Sequence, residues 1–155
     1  MSGTEFLVIG IGNAFRQDDG VGLLLAERLG ALQLPDVEVI THHGEGTGLM
    51  SLWNGREIVV AIDAVSSGQP AGTLFVIDAT NESIPSEWHL FSSHAFGLGE
   101  AVKMARSLGE LPKRLWIVGI EGKDFKPGQG LSPEVAGNLA QALVRVRGLI
   151  THPPA

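Results

Sequence analysis

Mainly apolar runs of about five residues alternate along this chain with segments whose apolar positions recur at helical spacing. The runs predict five strands, at 5–9, 37–41, 58–62, 73–77 and 115–120. The spaced segments predict helices at 21–32, 47–54 and 95–108, and a last helix with Ser132 at its N-cap and Pro133 at its first position. The runs at 5–9 and 58–62 are almost entirely apolar, as expected of central strands buried on both faces.

The order of these elements predicts a three-layer α/β/α sandwich with a mostly parallel, five-stranded sheet, in one domain spanning residues 1–155. One connection departs from the parallel pattern. Only Ala64–Gly72 separates the third run from the fourth, whereas a parallel crossover needs about a dozen residues or more. We therefore expect the fourth strand, at 73–77, to run antiparallel to the third or to lie at an edge.

Candidate chemistry follows the strands, at the edge where parallel sheets bind their ligands. Asp18 and Asp19 follow the first strand, at the start of a helix. Either carboxylate alone would suit a helix cap or would complement the helix dipole. Two adjacent acids favour a division of roles, in which Asp18 caps the helix and Asp19 faces the cleft.

Asp63 and His94 are the other candidates at this edge. Asp63 directly follows the apolar run 58–62, where it either faces the cleft or bonds the backbone of the next turn. His94 precedes the helix predicted at 95–108, a place where an isolated histidine is usually exposed. With Asp19, these residues form a suitable set of three ligands for a borderline divalent cation with an open coordination position.

Several classes of site are excluded by what the chain lacks. There is no cysteine, which removes thiol catalysis, disulfides and Cys-ligated zinc. The first loop is like a dinucleotide-binding turn, but Phe15 replaces the third glycine and two acids stand where a phosphate would bind. Neither an HExxH zinc motif nor a GxSxG serine elbow occurs. The residues therefore predict a metal-binding or carboxylate site without naming its reaction.

Charge and hydropathy limit the partners. The formal net charge is −6, and no cluster of Lys and Arg offers a basic surface, so we expect no nucleic-acid partner. The first residues lack the pattern of a signal peptide, and no apolar run approaches the ~20 residues of a membrane span. We expect a cytoplasmic protein without a membrane partner. His42 and His43 follow the second strand, and we expect one of them to line the cleft.

Taken in order, the motifs resemble the hydrogenase maturation endopeptidases from residue 5 to about residue 148. The segments that carry the resemblance are Gly10–Asn13, Asp18–Gly22, Asp63–Ala64, Ser93–His94, Gly97–Leu98, Val118–Glu121 and Gly130–Pro133. The resemblance implies a peptidase of the aspartic type. Its implied reaction is removal of a C-terminal extension from the large-subunit precursor of a [NiFe] hydrogenase after nickel insertion.

The resemblance also implies roles for the candidate residues. Asp19, Asp63 and His94 would contact nickel that the precursor supplies, Asp19 and Asp63 would be the catalytic carboxylates, and no organic cofactor would be needed. The family often has glutamate at the position of Asp19, where the side chain here is one carbon shorter. Members also often carry Asp-Gly-Gly-Thr after the second strand, where this chain has His-His-Gly-Glu-Gly-Thr at 42–47. We expect that difference to affect which precursor is recognised.

Two other functions stay open on the residues alone. A response-regulator receiver has an acid pair after its first strand and a phosphate-accepting aspartate after its third, which would be Asp63. The inserted segment Gly12–Gln17 and the absence of a lysine after the last strand argue against this function. A non-enzymatic factor that binds metal or precursor is the other possibility, because a fold does not determine an activity.

Overall fold

The computed structural model describes residues 5–90 and 95–152. Its strands form a six-stranded sheet. Five of them lie in the order β2-β1-β3-β6-β4, and β5 is an additional short strand that pairs with β3. The strands are β1 Phe6–Ile11, β2 Val37–His42, β3 Ile58–Ser66, β4 Leu74–Asp78, β5 His89–Leu90 and β6 Arg114–Glu121. β2, β1, β3 and β6 run parallel to one another, whereas β4 pairs antiparallel with β6 and β5 pairs antiparallel with β3.

Helices cover both faces of the sheet. They are α1 Val21–Ala31, α2 Gly46–Trp53, α3 Leu98–Leu108, α4 Pro133–Gly137 and α5 Leu139–Thr151, and a short 3-10 helix, Gln17–Gly20, precedes α1. Apolar side chains of α1, α4 and α5 pack in one cluster with one face of the sheet. Those of α2 and α3 pack in a second cluster with the other face. The predicted three-layer α/β/α sandwich is therefore confirmed.

β3 shows why its apolar run has no alternation. Val60 and Ile62 belong to the cluster under α1 and α5, whereas Val59 and Ala61 belong to the cluster under α2 and α3. All four side chains have no exposed surface. A central strand covered by helices on both faces needs apolar residues at every position.

The fourth predicted strand lies at an edge of the sheet, as its short connection to the third strand indicated. β4 lies at the edge of the sheet and pairs antiparallel with β6, from Leu74 opposite Ile120 to Asp78 opposite Trp116. The sheet has six strands where five were predicted. The strand that was missed is β5, which has only two residues and pairs with Val65 and Ser66. Such a short strand leaves no periodic pattern to recognise.

Three predicted boundaries were wrong. β3 continues to Ser66, so Asp63 lies inside the strand and does not end it. The third helix begins at Leu98 and not at residue 95, and its N-cap is Gly97. The last helix is broken at Asn138 into α4 and α5. Within residues 5–90 and 95–152, no helix has the length and apolar character needed to cross a membrane.

Candidate active site

Asp19 and Asp63 meet at the carboxyl edge of the sheet because β1 and β3 are parallel neighbours. The pairing of these strands ends with Gly10 beside Ile62, the residue before Asp63. The chain leaves β1 after Ile11 and returns through the 3-10 helix that carries Asp19. Topology therefore brings together two acids that stand far apart in the sequence.

Two glycines allow the start of α1 to approach the strand ends closely. A Cβ atom at Gly22 would lie 2.5 Å from the carbonyl oxygens of both Ile11 and Ile62. At Gly12 the backbone has φ +157, and a Cβ there would collide with the carbonyl oxygen of Asp19. Without these side chains, the backbone of α1 can rest directly on β1 and β3, which holds Asp19 over the end of the sheet.

Both acids are buried and poorly supplied with hydrogen bonds. Asp19 is 4% exposed and Asp63 is 1% exposed. Asp63 Oδ1 accepts a hydrogen bond of 2.8 Å from the backbone amide of Ala64. In the described part of the chain, Asp19 Oδ1 is buried without a hydrogen-bond partner. A buried polar atom left unpaired costs free energy, so this oxygen needs an explanation, and beside a second buried acid it is available to a ligand.

Burial and mutual repulsion disfavour the ionised forms of this pair. Burial raises the pKa of Asp19 to about 7, against the opposing effects of the Arg16 charge and the Asn13 amide. Burial also raises the pKa of Asp63 well above its usual range, and the negative charge of Asp19 raises it further, against the Ala64 amide. Two carboxyls that resist losing both protons are suited to proton transfer or to binding a cation.

Asp18 has the opposite environment and does not cap the helix. Its carboxylate accepts hydrogen bonds from the amides of Lys123, Asp124 and Ser132 and from the Ser132 hydroxyl, at 2.7 to 3.0 Å. Burial alone would raise the pKa of Asp18, but these four donors outweigh it and hold the pKa below its usual value. The N-cap of α1 is Gly20, which has no capping side chain. The predicted cap was therefore wrong, because Asp18 finds its donors in a distant loop.

The structure brings two of the three predicted ligands together. His94 lies outside the described residues, so its role stays a prediction. In the ranges 5–90 and 95–152, no group of three Asp, Glu, His or Cys side chains could hold a metal ion. A third ligand would have to come from His94 or from a substrate.

The segment after β2 lies at the same edge of the sheet. His42 is the last residue of β2, and the amide of Gly12 donates to its carbonyl oxygen at 3.1 Å. The His42 ring stacks against that of His43 with centroids 4.7 Å apart, and its Nδ1 accepts a 2.9 Å hydrogen bond from Gly44. Because that ring nitrogen is engaged by backbone, His42 helps to shape this loop, whereas His43 is exposed.

Glu45, which the resemblance marked as unusual, is the N-cap of α2. Its carboxylate accepts hydrogen bonds from the amides of Thr47 and Gly48 at 2.7 and 2.9 Å, and from the Thr47 hydroxyl at 2.5 Å. The Thr47 hydroxyl and amide are the main reasons that the pKa of Glu45 falls to about 2. Glu45 is therefore an ionised helix cap at the rim of the site.

One buried acid of this edge was missed from the sequence. Glu121 is the last residue of β6 and is 2% exposed. It accepts hydrogen bonds from the Ser67 amide and hydroxyl at 2.9 and 2.5 Å, which hold the loop after β3. The signal available was an acid directly after an apolar strand, the same signal that selected Asp63.

The chain is similar to one protein family and to several of its relatives. A family model described as hydrogenase maturation protease matches residues 24–148. The chain is 31% identical to the hydrogenase 2 maturation protease of Escherichia coli strain K12 over 146 residues, which is 92% of this chain and 88% of that protein. It is 29% identical to a putative hydrogenase maturation protease of Methanocaldococcus jannaschii, over 97% of this chain and 99% of the relative.

Solved structures show the same fold. The hydrogenase maturating endopeptidase HybD from Escherichia coli superposes with a TM-score of 0.73 at 27% identity, covering 93% of this chain and 91% of that one. The [NiFe] hydrogenase maturation protease HybD from Thermococcus kodakarensis has the same TM-score at 23% identity, covering 93% and 97% of the two chains. The second likeness is one of fold alone.

Proposed function

This chain belongs to the hydrogenase maturation protease family, and we propose that it removes the C-terminal extension of a [NiFe]-hydrogenase large-subunit precursor after nickel insertion. Membership of this family makes the chain a peptidase. The observation that carries the proposal is the buried pair of carboxyls, Asp19 and Asp63, at the carboxyl edge of the sheet, with an unpaired oxygen on Asp19.

In this proposal, nickel is part of the substrate. Asp19, Asp63 and His94 bind the nickel ion that the precursor already carries, which is a donor set suited to a borderline divalent cation. Asp19 and Asp63 lose the protons that burial favours when they bind the ion, because metal ligands must be deprotonated. A precursor without nickel cannot offset the cost of ionising the pair. Cleavage therefore depends on prior nickel insertion.

We assign the general base to Asp19. A base works best with a pKa close to the working pH, and in the protein without bound substrate burial raises the pKa of Asp19 to about 7. Asp19 takes a proton from the attacking water, and the hydroxyl oxygen adds to the scissile carbonyl carbon. Asp19 then gives that proton to the scissile nitrogen, the C–N bond breaks, and the products are a new carboxyl terminus on the large subunit and a free amino group on the released extension. Asp63, whose pKa burial raises well above its usual range, binds and orients the substrate metal beside it.

The test is cleavage of a purified hydrogenase large-subunit precursor, followed by mass measurement of the large subunit. We expect a loss of mass equal to a C-terminal segment with the nickel-loaded precursor and no change with the nickel-free precursor. Elemental analysis of the isolated protein, purified without added metal, should find less than stoichiometric metal. Equal cleavage of both precursors, or a tightly held stoichiometric zinc, would contradict nickel-dependent recognition.

The same assay separates the peptidase from a non-enzymatic factor. A factor of that kind would bind the nickel-loaded precursor and leave its mass unchanged. Binding measured by gel filtration beside the mass measurement therefore distinguishes the two. A stable complex without cleavage would refute the enzymatic proposal.

A further inference from the structure

Asp18 is a buried acid that the proposed reaction does not use. It has no exposed surface, and its two carboxylate oxygens accept all four hydrogen bonds from the segment 123–132. Ser132 lies 114 positions further along the chain than Asp18. A charged carboxylate with this many donors makes strong, directional contacts, so it joins the two loops firmly.

Backbone contacts extend this junction along the whole loop before Asp19. The Asp18 amide donates to the carbonyl oxygen of Asp124 at 3.0 Å, and the Gln17 amide donates to that of Gly128 at 3.1 Å. The Gly128 amide donates in return to the carbonyl oxygen of Phe15 at 2.8 Å. The loop that leads into Asp19 is therefore held against the segment 123–132 by backbone hydrogen bonds as well as by the Asp18 side chain.

Asp19 needs such support because its own carboxylate is poorly anchored. Within the described residues, Asp19 Oδ1 has no hydrogen-bond partner, so the backbone must set the direction of the side chain. Gly22 packs α1 onto the strand ends on the far side of Asp19. On the near side, the residue that fixes the backbone is Asp18.

We propose that Asp18 is a positioning residue, which holds Asp19 against Asp63 by anchoring the loop before it to the segment 123–132. The inference rests on the proposed function, since it assigns Asp18 a part in the cleavage that Asp19 performs. Asp18 does not touch the substrate. It acts by limiting the directions that the Asp19 carboxylate, whose Oδ1 has no partner among the described residues, can take.

The test compares Asp18→Asn with Asp78→Asn in cleavage of nickel-loaded precursor. Asp78 also holds a turn, accepting hydrogen bonds from Thr80 and Asn81, but it pairs with Trp116 at the other end of β6. We expect Asp18→Asn to lower kcat about tenfold, the lower end of what loss of an orienting partner costs. KM for the precursor should change less than kcat, because Asp63 and His94, the other proposed ligands of the substrate nickel, do not depend on Asp18. Asp78→Asn should leave both constants unchanged.

Hydrogen exchange on the isolated proteins gives a second measurement that does not depend on activity. The amides of Lys123, Asp124 and Ser132 should exchange faster in Asp18→Asn and at the wild-type rate in Asp78→Asn. If wild-type protein fails to cleave the precursor, the proposed function fails, and the exchange rates still decide whether Asp18 anchors the loop. Unchanged exchange, an equal fall of kcat in both variants, or a change in KM alone would overturn the positioning role.

Discussion

Asp18 and Asp19 are adjacent in the chain, equal in chemistry and both buried, yet they lie in opposite surroundings. Asp18 is enclosed by four hydrogen-bond donors from the segment 123–132. Asp19 faces a second buried acid, Asp63, and leaves an oxygen unpaired within the described residues. The first environment favours the charged carboxylate and the second opposes it.

This contrast separates a stabilising acid from a functional one. Each hydrogen bond to a charged group contributes about 1.5–3 kcal/mol, so Asp18 supports the fold. Burying Asp19 beside Asp63 costs free energy at neutral pH, and this cost leaves the pair ready to bind a cation. Functional sites commonly lower the stability of a protein in this way, because activity needs a group that the fold leaves unsatisfied.

The largest expected effect is the loss of cleavage when Asp63, the buried acid beside Asp19, is replaced. Asp63→Asn should lower the rate of precursor cleavage by more than about 100-fold, because it removes a proposed ligand of the substrate nickel, and losing a group that only orients a metal ligand already costs about 10–100-fold. The fold should persist, because asparagine has the same size. Circular dichroism and cleavage rates measure the two properties, and His94→Ala should behave in the same way. A folded Asp63→Asn protein that cleaves normally would exclude this residue from the site.

The next effect concerns the close packing that brings the two acids together. Gly22→Ala should lower the free energy of unfolding by about 1–3 kcal/mol, because its Cβ would press on two carbonyl oxygens. Cleavage should fall too, since α1 must move away from β3. The matched control is Gly148→Ala in α5, where a Cβ meets nothing within 4 Å. That substitution should stabilise the protein by about 0.5–1 kcal/mol, and urea denaturation measures both.

Comparing one substitution at the two neighbouring acids tests the contrast directly. At about pH 8, Asp18→Asn should lower the free energy of unfolding by about 1–3 kcal/mol, because an amide cannot accept all four donors. Asp19→Asn should raise it by about 1–3 kcal/mol, because a neutral amide avoids ionisation in a buried place. Denaturant titration of the two variants and the wild type measures the signs. If both variants shift in the same direction, the two environments are not opposite.

The size of the stability gain from Asp19→Asn depends on pH. The pKa of Asp19 is about 7 in the folded protein and 3.8 as its ordinary value. The folded state therefore holds more protons between these values, and its stability falls as the pH rises through about 7. The gain from Asp19→Asn should accordingly be present at about pH 8 and shrink as the pH approaches about 4. A gain that does not vary with pH would have another cause.

The last effect is the pH dependence of cleavage itself. For the free enzyme, kcat/KM should fall about tenfold for each pH unit below about 7, because Asp19 must lose its proton to act as a base. The same curve measured on Asp18→Asn serves as the comparison. We expect a lower plateau there, since that variant still contains Asp19. A flat profile of the wild type between about pH 5 and pH 8 would contradict the assignment of the base.

Much of the fold was open to prediction from the chain alone. The runs at 5–9 and 58–62 and the helical spacing after Val21 are local patterns, and each corresponds to an observed element. The short connection Ala64–Gly72 correctly placed the fourth strand at an edge. The end of β3 was missed, since polar Asp63 and Ser66 interrupt the pattern although the ladder to β6 continues past Asp63.

The candidate site was predictable in its position and unpredictable in its details. Asp19 and Asp63 were selected because they follow strands, and parallel strands end at one edge. The partners of Asp18 were not predictable, because Lys123, Asp124 and Ser132 carry no pattern that points to residue 18. Ser132 is the N-cap of α4 as expected, but its side chain makes no capping hydrogen bond, and its hydroxyl donates to Asp18 at 2.9 Å.

The sequence by itself determined the layers of this protein, its parallel edge and the family to which its motifs belong. These follow from apolar periodicity and local spacing, which need no knowledge of distant contacts. Only the tertiary structure decided which of two adjacent aspartates is anchored and which is left unpaired. That choice depends on donors 105 to 114 positions away, and on the approach of α1 to β1 and β3 at Gly22. The ionisation of a carboxyl is set by what surrounds it in space, and a neighbour in the chain need not share that environment.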